Sequence, residues 1–445
     1  MKTIAFCNST LAWGGGETWH LEASLYLLGQ GYKVLMMAHE EGALYARAKA
    51  YEGPHFTLIP LSIGRLSFLN PFTVKKYARF LANHGVDAVL MNLPQDLKCM
   101  GLAARKAGIS QVIYRRGSAL PVRNSALNRY LYGKVLTGLI VNSQATKNEV
   151  YRHNSRLISE KRVMVLPNGI DISDFDRRLA EADCLDVDLG IKLGGKDDEK
   201  LEATLDRGGD GDRYEGEQLR HERVEDGGTF IKSSSAPIVL GNAGRLNKQK
   251  GQHFLLYLSK ALEAMDVDYR LVIAGSGERR QELEELAQSL GVADKVFFTG
   301  FLQDTCPFWK SIDVFVLTSL WEGFGYVLLE AMLSAKPILA FGVSNIPELV
   351  EDGNNGFLFP LPLESAQGHT DLKDHENMGQ GGDKEGSASS SLPDMSAMAE
   401  AVKRLAHDPA LRKRMGEAGR SFADPAFDQK VVMTNLMEYL EKAKS

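Results

Sequence analysis

The stretch IVLGNAGRLNKQKG, residues 238–251, decides the fold. A short apolar run reads as a buried strand, Gly244 breaks it, and a basic turn closes at Gly251. The same unit returns at YRLVIAGSG (269–277), KVFFTGF (295–301), DVFVLTS (313–319), KPILAFG (336–342) and GFLFP (356–360), with amphipathic stretches between. Strands alternating with helical segments predict parallel βαβ units. Working outward, the first half shows the same alternation: KTIAFCNS (2–9), KVLMMAHE (33–40), DAVLMNL (87–93), QVIYRRG (111–117), GLIVNS (138–143) and RVMVLPNG (162–169). A helix from about Glu17, with Leu21, Leu25 and Leu28 at helical spacing and Gly31 as its stop, follows the first of these strands. The expected fold class is α/β, with two doubly wound, Rossmann-like domains.

Length agrees, since 445 residues exceed what one hydrophobic core supports. The expected boundaries are an N-terminal domain at 1–175, a charged Gly-rich insertion at 179–236, and a second domain at 237–423 interrupted by a low-complexity loop at 363–393. The insertion holds 16 acids and 8 bases, and both interruptions read as flexible. The segment 424–445 is expected to form a helix returning to the first domain, with Phe427, Val431, Leu436 and Tyr439 near one face.

Composition narrows the function classes. The chain is 44% hydrophobic and 24% charged, as in a soluble globular protein. Cys7, Cys99, Cys184 and Cys306 show neither zinc-ligand nor disulfide spacing. No run of about 18 apolar residues appears, and MKTIAFCNST has too short an apolar core for a signal peptide. The expected location is therefore cytoplasmic. Net charge is −5, but residues 1–178 hold 23 Lys+Arg against 12 Asp+Glu, a balance of +11, and the remainder, 29 against 45, comes to −16. Between Asp96 and Glu149 lie nine basic residues and no acid. Such a stretch is either a solvated basic face or a surface for an anionic membrane or phosphorylated acceptor. Nucleic acid is disfavoured, because the chain is acidic overall and carries no helix-turn-helix, RNP or zinc-finger pattern.

The chemistry concentrates in WEGFGYVLLE, residues 321–330. Glu322 and Glu330 are two carboxylates flanking a segment, Tyr326 to Ala335, that is apolar on nearly every face. Glu330 thus falls within a mostly buried helix and needs a partner. FGYV offers no side-chain cap, so the amides opening that helix suit an anion such as phosphate. Gly14-Gly15-Gly16-Glu17 lies likewise between a strand and a helix, as do Gly275 and Gly277. Arg245 and Lys250 flank the turn after Gly244, where a forked guanidinium and a point charge suit a diphosphate. A dinucleotide site is disfavoured, since the first turn is not GxGxxG.

In order and spacing, GRLNKQKG, IAGSGE, KVFFTGF, EGFGYVLLE and AKPILAFGVSNIPELVEDGNNGFLF resemble the donor domain of the retaining family-4 glycosyltransferases of the GT-B fold. GGGE, VNSQATK and VLPNGID resemble the acceptor half of the same family. The resemblance covers about residues 1–175 and 237–360. It implies two Rossmann-like domains facing across a cleft, a nucleotide-diphosphate-sugar as co-substrate, a glycan or lipid-linked acceptor such as a lipopolysaccharide core, and no cofactor or metal. By position, Glu330 would hold the ribose hydroxyls and Glu322 the transferred sugar. Arg245 and Lys250 would hold the diphosphate. Gly244, Gly275, Gly277, Phe324, Gly325 and Tyr326 would line the donor site, and Gly15 and Gly16 would close over it. Where many members carry a His after the strand QVIYRRG, this chain has Arg115-Arg116-Gly117. Arg cannot serve as a base, and Arg116 is a candidate for a phosphate or acceptor contact. His20, His39 and His84 read as structural or solvated. Two rivals share the architecture: a nucleotide-sugar 2-epimerase and a non-catalytic nucleotide-sugar-binding subunit.

Overall fold

A computed structural model describes residues 2–185, 236–362 and 393–442. The first sheet is seven-stranded and parallel, in the order β3-β2-β1-β4-β5-β6-β7. Its strands are β1 (Thr3–Asn8), β2 (Lys33–Ala38), β3 (Phe56–Pro60), β4 (Ala88–Met91), β5 (Gln111–Arg116), β6 (Gly138–Val141) and β7 (Val163–Val165). The second is six-stranded and parallel, in the order β10-β9-β8-β11-β12-β13, with β8 (Ile238–Ala243), β9 (Tyr269–Ala274), β10 (Val296–Gly300), β11 (Val314–Leu317), β12 (Ile338–Phe341) and β13 (Gly356–Phe359).

Each sheet is buried on both faces, which is why its strands read as continuous apolar runs. Two core clusters sandwich the first sheet and two the second. Strand order reverses beside β1 and β4 in one sheet and beside β8 and β11 in the other. Such switch points open a crevice at the carboxyl ends of the strands.

The helix Gly15–Gly29 buries Trp19, His20, Ala23, Ser24 and Leu27, whereas Leu21, Leu25 and Leu28 are only half-buried. The inward face is thus rotated from the leucine row, because small Ala23 and Ser24 let the helix approach the sheet. His20 is enclosed against Phe6, with ring centres 5.6 Å apart. Burial first, and the nearby Arg115 second, lower its pKa to about 3, so it is neutral.

After β7 the chain crosses to the second domain, where Ile172 and Phe175 of the helix Ile172–Glu181 enter that domain's core. The first residues assigned to the insertion are therefore ordered: Lys310 Nζ donates to Ala180 O at 3.0 Å and Leu185 N to Ser311 Oγ at 2.6 Å. The rest of it, 186–235, lies outside the described residues, as does 363–392 of the loop expected at 363–393. A second crossing returns through Phe427 to the helix Gln429–Lys442, which packs on the first sheet. The two crossings bind each other, with Ile170 N donating to Phe427 O and Gln429 N to Ile170 O, both at 2.9 Å. The returning helix buries Val432, Met433, Leu436 and Leu440, and Val431 is 45% exposed. Of the four residues expected on one face, Leu436 and Phe427 are buried and Tyr439 packs against the first domain's core, whereas Val431 points outward.

Candidate functional site

Two crevices face one another where the sheets meet. On the second domain, the turn after β8 carries Arg245 and Lys250, and the loop after β11 carries Glu322. Lys250 Nζ donates to Glu322 Oε1 at 2.6 Å, and Ser319 Oγ donates to the same oxygen at 2.6 Å. Glu322 is buried, so this pairing is what makes its charge tolerable there. Both bonds fall on Oε1, which leaves Oε2 directed toward Gly325, 4.0 Å from where a Cβ would stand on that glycine. Lys250 retains further N–H donors for a ligand.

Gly325 caps the helix Tyr326–Leu333 with φ +81°, a left-handed conformation that favours glycine, and no side chain caps that helix. Its opening amides are left for a ligand or water. Glu330 sits one turn on, half-buried. Trp309 Nε1 and Thr305 Oγ1 donate to its Oε2 at 2.8 and 3.0 Å. Burial raises its pKa, and these two donors oppose the rise. Both bonds again use one oxygen, so the other remains for hydroxyl groups. Sequence reasoning missed Trp309 and Thr305, whose positions relative to Glu330 follow from the tertiary fold, and Ser319, whose three-residue spacing from Glu322 was the available signal.

The glycine turns of β8 and β9 lock together through their backbones. Gly244 N donates to Ala274 O at 2.9 Å, Leu246 N to Ser276 O at 2.8 Å, and Arg279 N to Leu246 O at 3.1 Å. Gly275 and Gly277 are accounted for by this packing: a Cβ on either would overlap the Gly244 or Leu246 carbonyl oxygen. Phe324 is placed in the core, with its ring 5.9 Å from that of Phe427, and its carbonyl accepts from Asn345 Nδ2 at 2.9 Å. Its side chain holds the loop down instead of lining the crevice.

The first domain presents the turn Gly14–Gly16. A Cβ on Gly15 would stand 3.1 Å from the Tyr326 ring of the second domain, so this turn and the helix N-terminus are in contact. Beneath it lies a polar floor built from strand ends: Asn8, Asn92, Arg115, Asn142 and Asn168 follow β1, β4, β5, β6 and β7 or close them. Glu17 Oε1 accepts from Asn8 Nδ2 at 3.0 Å and Asn92 Nδ2 at 3.2 Å. Arg115 donates to Asn92 Oδ1 at 3.3 Å and Asn168 Oδ1 at 2.6 Å, and its guanidinium lies 4.4 Å from the Trp19 ring centre. Burial lowers the Arg115 pKa to about 10, with Tyr326 and Glu17 opposing the drop.

Arg116 does not join this floor. Strand alternation turns it to the opposite face, where it donates to Leu120 O and pairs with Tyr114 and Tyr132. Of the two arginines, Arg115 is the one beneath the glycine turn, and the period-two pattern of a strand was the signal that separates them.

The two domains touch directly around this site. Asn142 Nδ2 donates to Gly323 O at 3.0 Å, Arg245 Nη2 to Trp13 O at 3.3 Å, and the Gln144 and Ala145 amides to the Glu348 carboxylate at 2.8 and 2.5 Å. Among the described residues, no group of three or more His, Cys, Asp or Glu is placed to hold a metal ion, and no helix is long and apolar enough to cross a membrane.

With this geometry in place, the comparisons with known proteins fall on the same two halves. Residues 13–174 match the model of Glycosyltransferase Family 4, and residues 230–371 that of Glycosyl transferases group 1. The chain belongs to the family-4 glycosyltransferases. The alpha-D-kanosaminyltransferase of Streptomyces kanamyceticus is 32% identical over 183 residues, 41% of this chain and 39% of that protein. The lipopolysaccharide core biosynthesis glycosyltransferase LpsE of Rhizobium meliloti is 28% identical over 207 residues, 46% of this chain and 50% of that protein. The matched stretches thus span half or less of these relatives' own length. Among solved structures, HepE of Anabaena in complex with UDP superposes with a TM-score of 0.68 at 20% identity, covering 99% of this chain and 100% of that one. WaaG, a glycosyltransferase involved in lipopolysaccharide biosynthesis, does so with a TM-score of 0.59 at 16% identity, covering 98% and 99%. The family-4 glycosyltransferase described here therefore has the GT-B fold, with its glycine turns, Glu322 and Glu330 gathered at the mouth of the cleft.

Proposed function

We propose that this chain transfers a sugar from a nucleotide-diphosphate-sugar to a hydroxyl of a glycan or lipid-linked acceptor, with retention of anomeric configuration. The observation that carries the reading is the convergence of Lys250, Glu322, the uncapped helix at Gly325 and Glu330 at one switch point, opposite the Gly14–Gly16 turn. Glu330 binds the ribose diol through the oxygen that Trp309 and Thr305 leave available. Glu322 Oε2 binds hydroxyls of the transferred sugar, at the other end of the diphosphate.

As the glycosidic bond breaks, negative charge develops on the diphosphate. Lys250, Arg245 and the amides at Gly325 and Tyr326 stabilise it, which is the work of fixed dipoles and cations in a closed site. The departing phosphate oxygen takes the proton of the attacking hydroxyl on the same face, so no protein base enters the step and the stereochemistry is kept. No cofactor or metal ion is assigned a role. LpsE is described as acting in lipopolysaccharide core biosynthesis, and the basic first domain suits an acceptor that is itself anionic or lies at an anionic membrane. On this reading the reaction takes place at the cytoplasmic face of such a membrane.

Incubation with labelled nucleotide-sugars, with and without glycolipid acceptors, tests the reading. Acceptor-dependent release of nucleoside diphosphate, lost in Glu330→Ala and Lys250→Ala, is expected. Sugar released without acceptor would instead indicate the epimerase, and donor binding without turnover the non-catalytic subunit.

A further inference from the structure

The segment between β3 and β4 carries a surface that the donor site does not use. Leu66, Leu69 and Phe72 are 70%, 64% and 80% exposed, three large apolar side chains within seven residues. Phe72 opens the helix Pro71–Asn83, whose Tyr77, Ala78 and Leu81 are buried. On its outer side Lys75, Lys76 and Arg79 are exposed. Positions 72, 75, 76 and 79 follow the three-and-four spacing of a single helical face.

Basic groups continue beyond that face. Lys98 Nζ lies 5.9 Å from the ring centre of Phe68, and the adjoining helix Leu102–Lys106 exposes Arg105 and Lys106. Acids are missing from the neighbourhood in sequence: none occurs from residue 53 through 86. Of the next two, Asp87 accepts a hydrogen bond from Thr3 N at 2.9 Å and Asp96 is fully buried beneath Ser9. Single exposed apolar residues are ordinary on protein surfaces. Three together, followed by exposed cations on the adjoining helix face in a stretch of sequence without acids, match a bilayer interface, where apolar side chains enter below the headgroups and basic ones stay among the phosphates. Charge complementarity selects an anionic bilayer.

We propose that Leu66, Leu69 and Phe72, together with Lys75, Lys76 and Arg79, form a docking surface for an anionic lipid bilayer. This deepens the reading of a lipid-linked acceptor and rests on it, since docking brings the cleft to where such an acceptor resides.

Co-sedimentation of the full chain with vesicles tests the proposal, using phosphatidylcholine vesicles with or without phosphatidylglycerol, at low and raised salt. The wild type is expected to bind phosphatidylglycerol vesicles, more weakly at raised salt, and not pure phosphatidylcholine. Joint Lys75→Gln, Lys76→Gln and Arg79→Gln should weaken binding on the order of 100-fold. Joint Leu66→Ser, Leu69→Ser and Phe72→Ser should weaken it by at least about tenfold. All six positions are exposed, and unchanged melting temperatures check that the variants fold. Absence of binding by the wild type, equal binding to both vesicle types, or wild-type binding by both variants would overturn the proposal. So would a wild-type dimer that the serine variant makes monomeric, which would assign the surface to a second copy of the chain. The vesicles contain no acceptor, and nucleotide binding is followed in the same samples. Failure of docking is thus separable from failure of the donor reading.

Discussion

Lys250 and Glu322, 72 residues apart in sequence, meet at 2.6 Å in a site where the carboxylate is buried and the ammonium nearly so. This pair joins the turn after β8 to the loop after β11 across the switch point of the second sheet. Removing one partner strands the other charge, at a cost of up to about 3–5 kcal/mol. Lys250→Met and Glu322→Leu should each lower the melting temperature, and the double variant should melt above both. Additive losses in a double-mutant cycle would show that the pair is not coupled.

Glu330 provides a test specific to the ribose. In Glu330→Gln the amide oxygen still accepts from Trp309 and Thr305, but the charge available to the diol is gone. A hydrogen bond to a charged group is worth about 1.5–3 kcal/mol. Calorimetric titration should show nucleoside diphosphate affinity falling by about 10- to 100-fold, while a 2′,3′-dideoxy analogue binds wild type and variant alike. Equal losses for both ligands would remove Glu330 from ribose recognition.

Glu348 ties the two domains together, its carboxylate accepting from the Gln144 and Ala145 amides across the cleft. It reaches the N-terminus of the helix Gln144–Tyr151 from the other domain. Glu348→Ala should remove about 1 kcal/mol of capping and shift the population toward open forms. Small-angle scattering should report a larger radius of gyration, accompanied by a raised KM for the donor. An unchanged scattering profile would show that this contact does not hold the domains together.

Asp96 predicts a pH dependence of stability. Burial raises its pKa to about 7, against the opposing hydrogen bonds from Ser9 Oγ and the Leu93 amide. The folded state therefore holds a proton that the unfolded state has lost at the same pH. This group's contribution to stability is full below about pH 4 and declines as pH rises toward 7. Asp96→Asn should flatten that decline, measured by urea unfolding at several pH values, and should be more stable than wild type above neutrality. An unchanged slope would contradict the assignment.

The fold was largely legible because both sheets are parallel and buried on both faces, so each strand announces itself as an apolar run ending at a glycine or polar turn. The acid pair and the glycine turns were legible for the same local reason. Side-chain direction was less so. The helix Gly15–Gly29 turns Trp19, Ala23 and Leu27 inward and leaves Leu21, Leu25 and Leu28 half-buried, because small residues set the closest approach to the sheet. Arg115 and not Arg116 lies beneath the glycine turn, a choice made by strand alternation. Trp309 reaches Glu330, 21 residues on, only once the helices before and after β11 are placed, whereas Ser319 reaches Glu322 within a single loop, three residues away.

The central claim is that the cleft holds a nucleoside diphosphate between Glu330 and the Lys250–Glu322 pair. A thermal-shift titration against uridine, guanosine, adenosine, cytidine and thymidine diphosphates, with the parent nucleosides as controls, tests it most directly, since a bound ligand stabilises the folded state by mass action. At least one diphosphate should raise the melting temperature of the wild type more than its nucleoside does, and Glu330→Gln and Lys250→Met should lose that rise. No response to any diphosphate, or an undiminished response in both variants, would contradict the account.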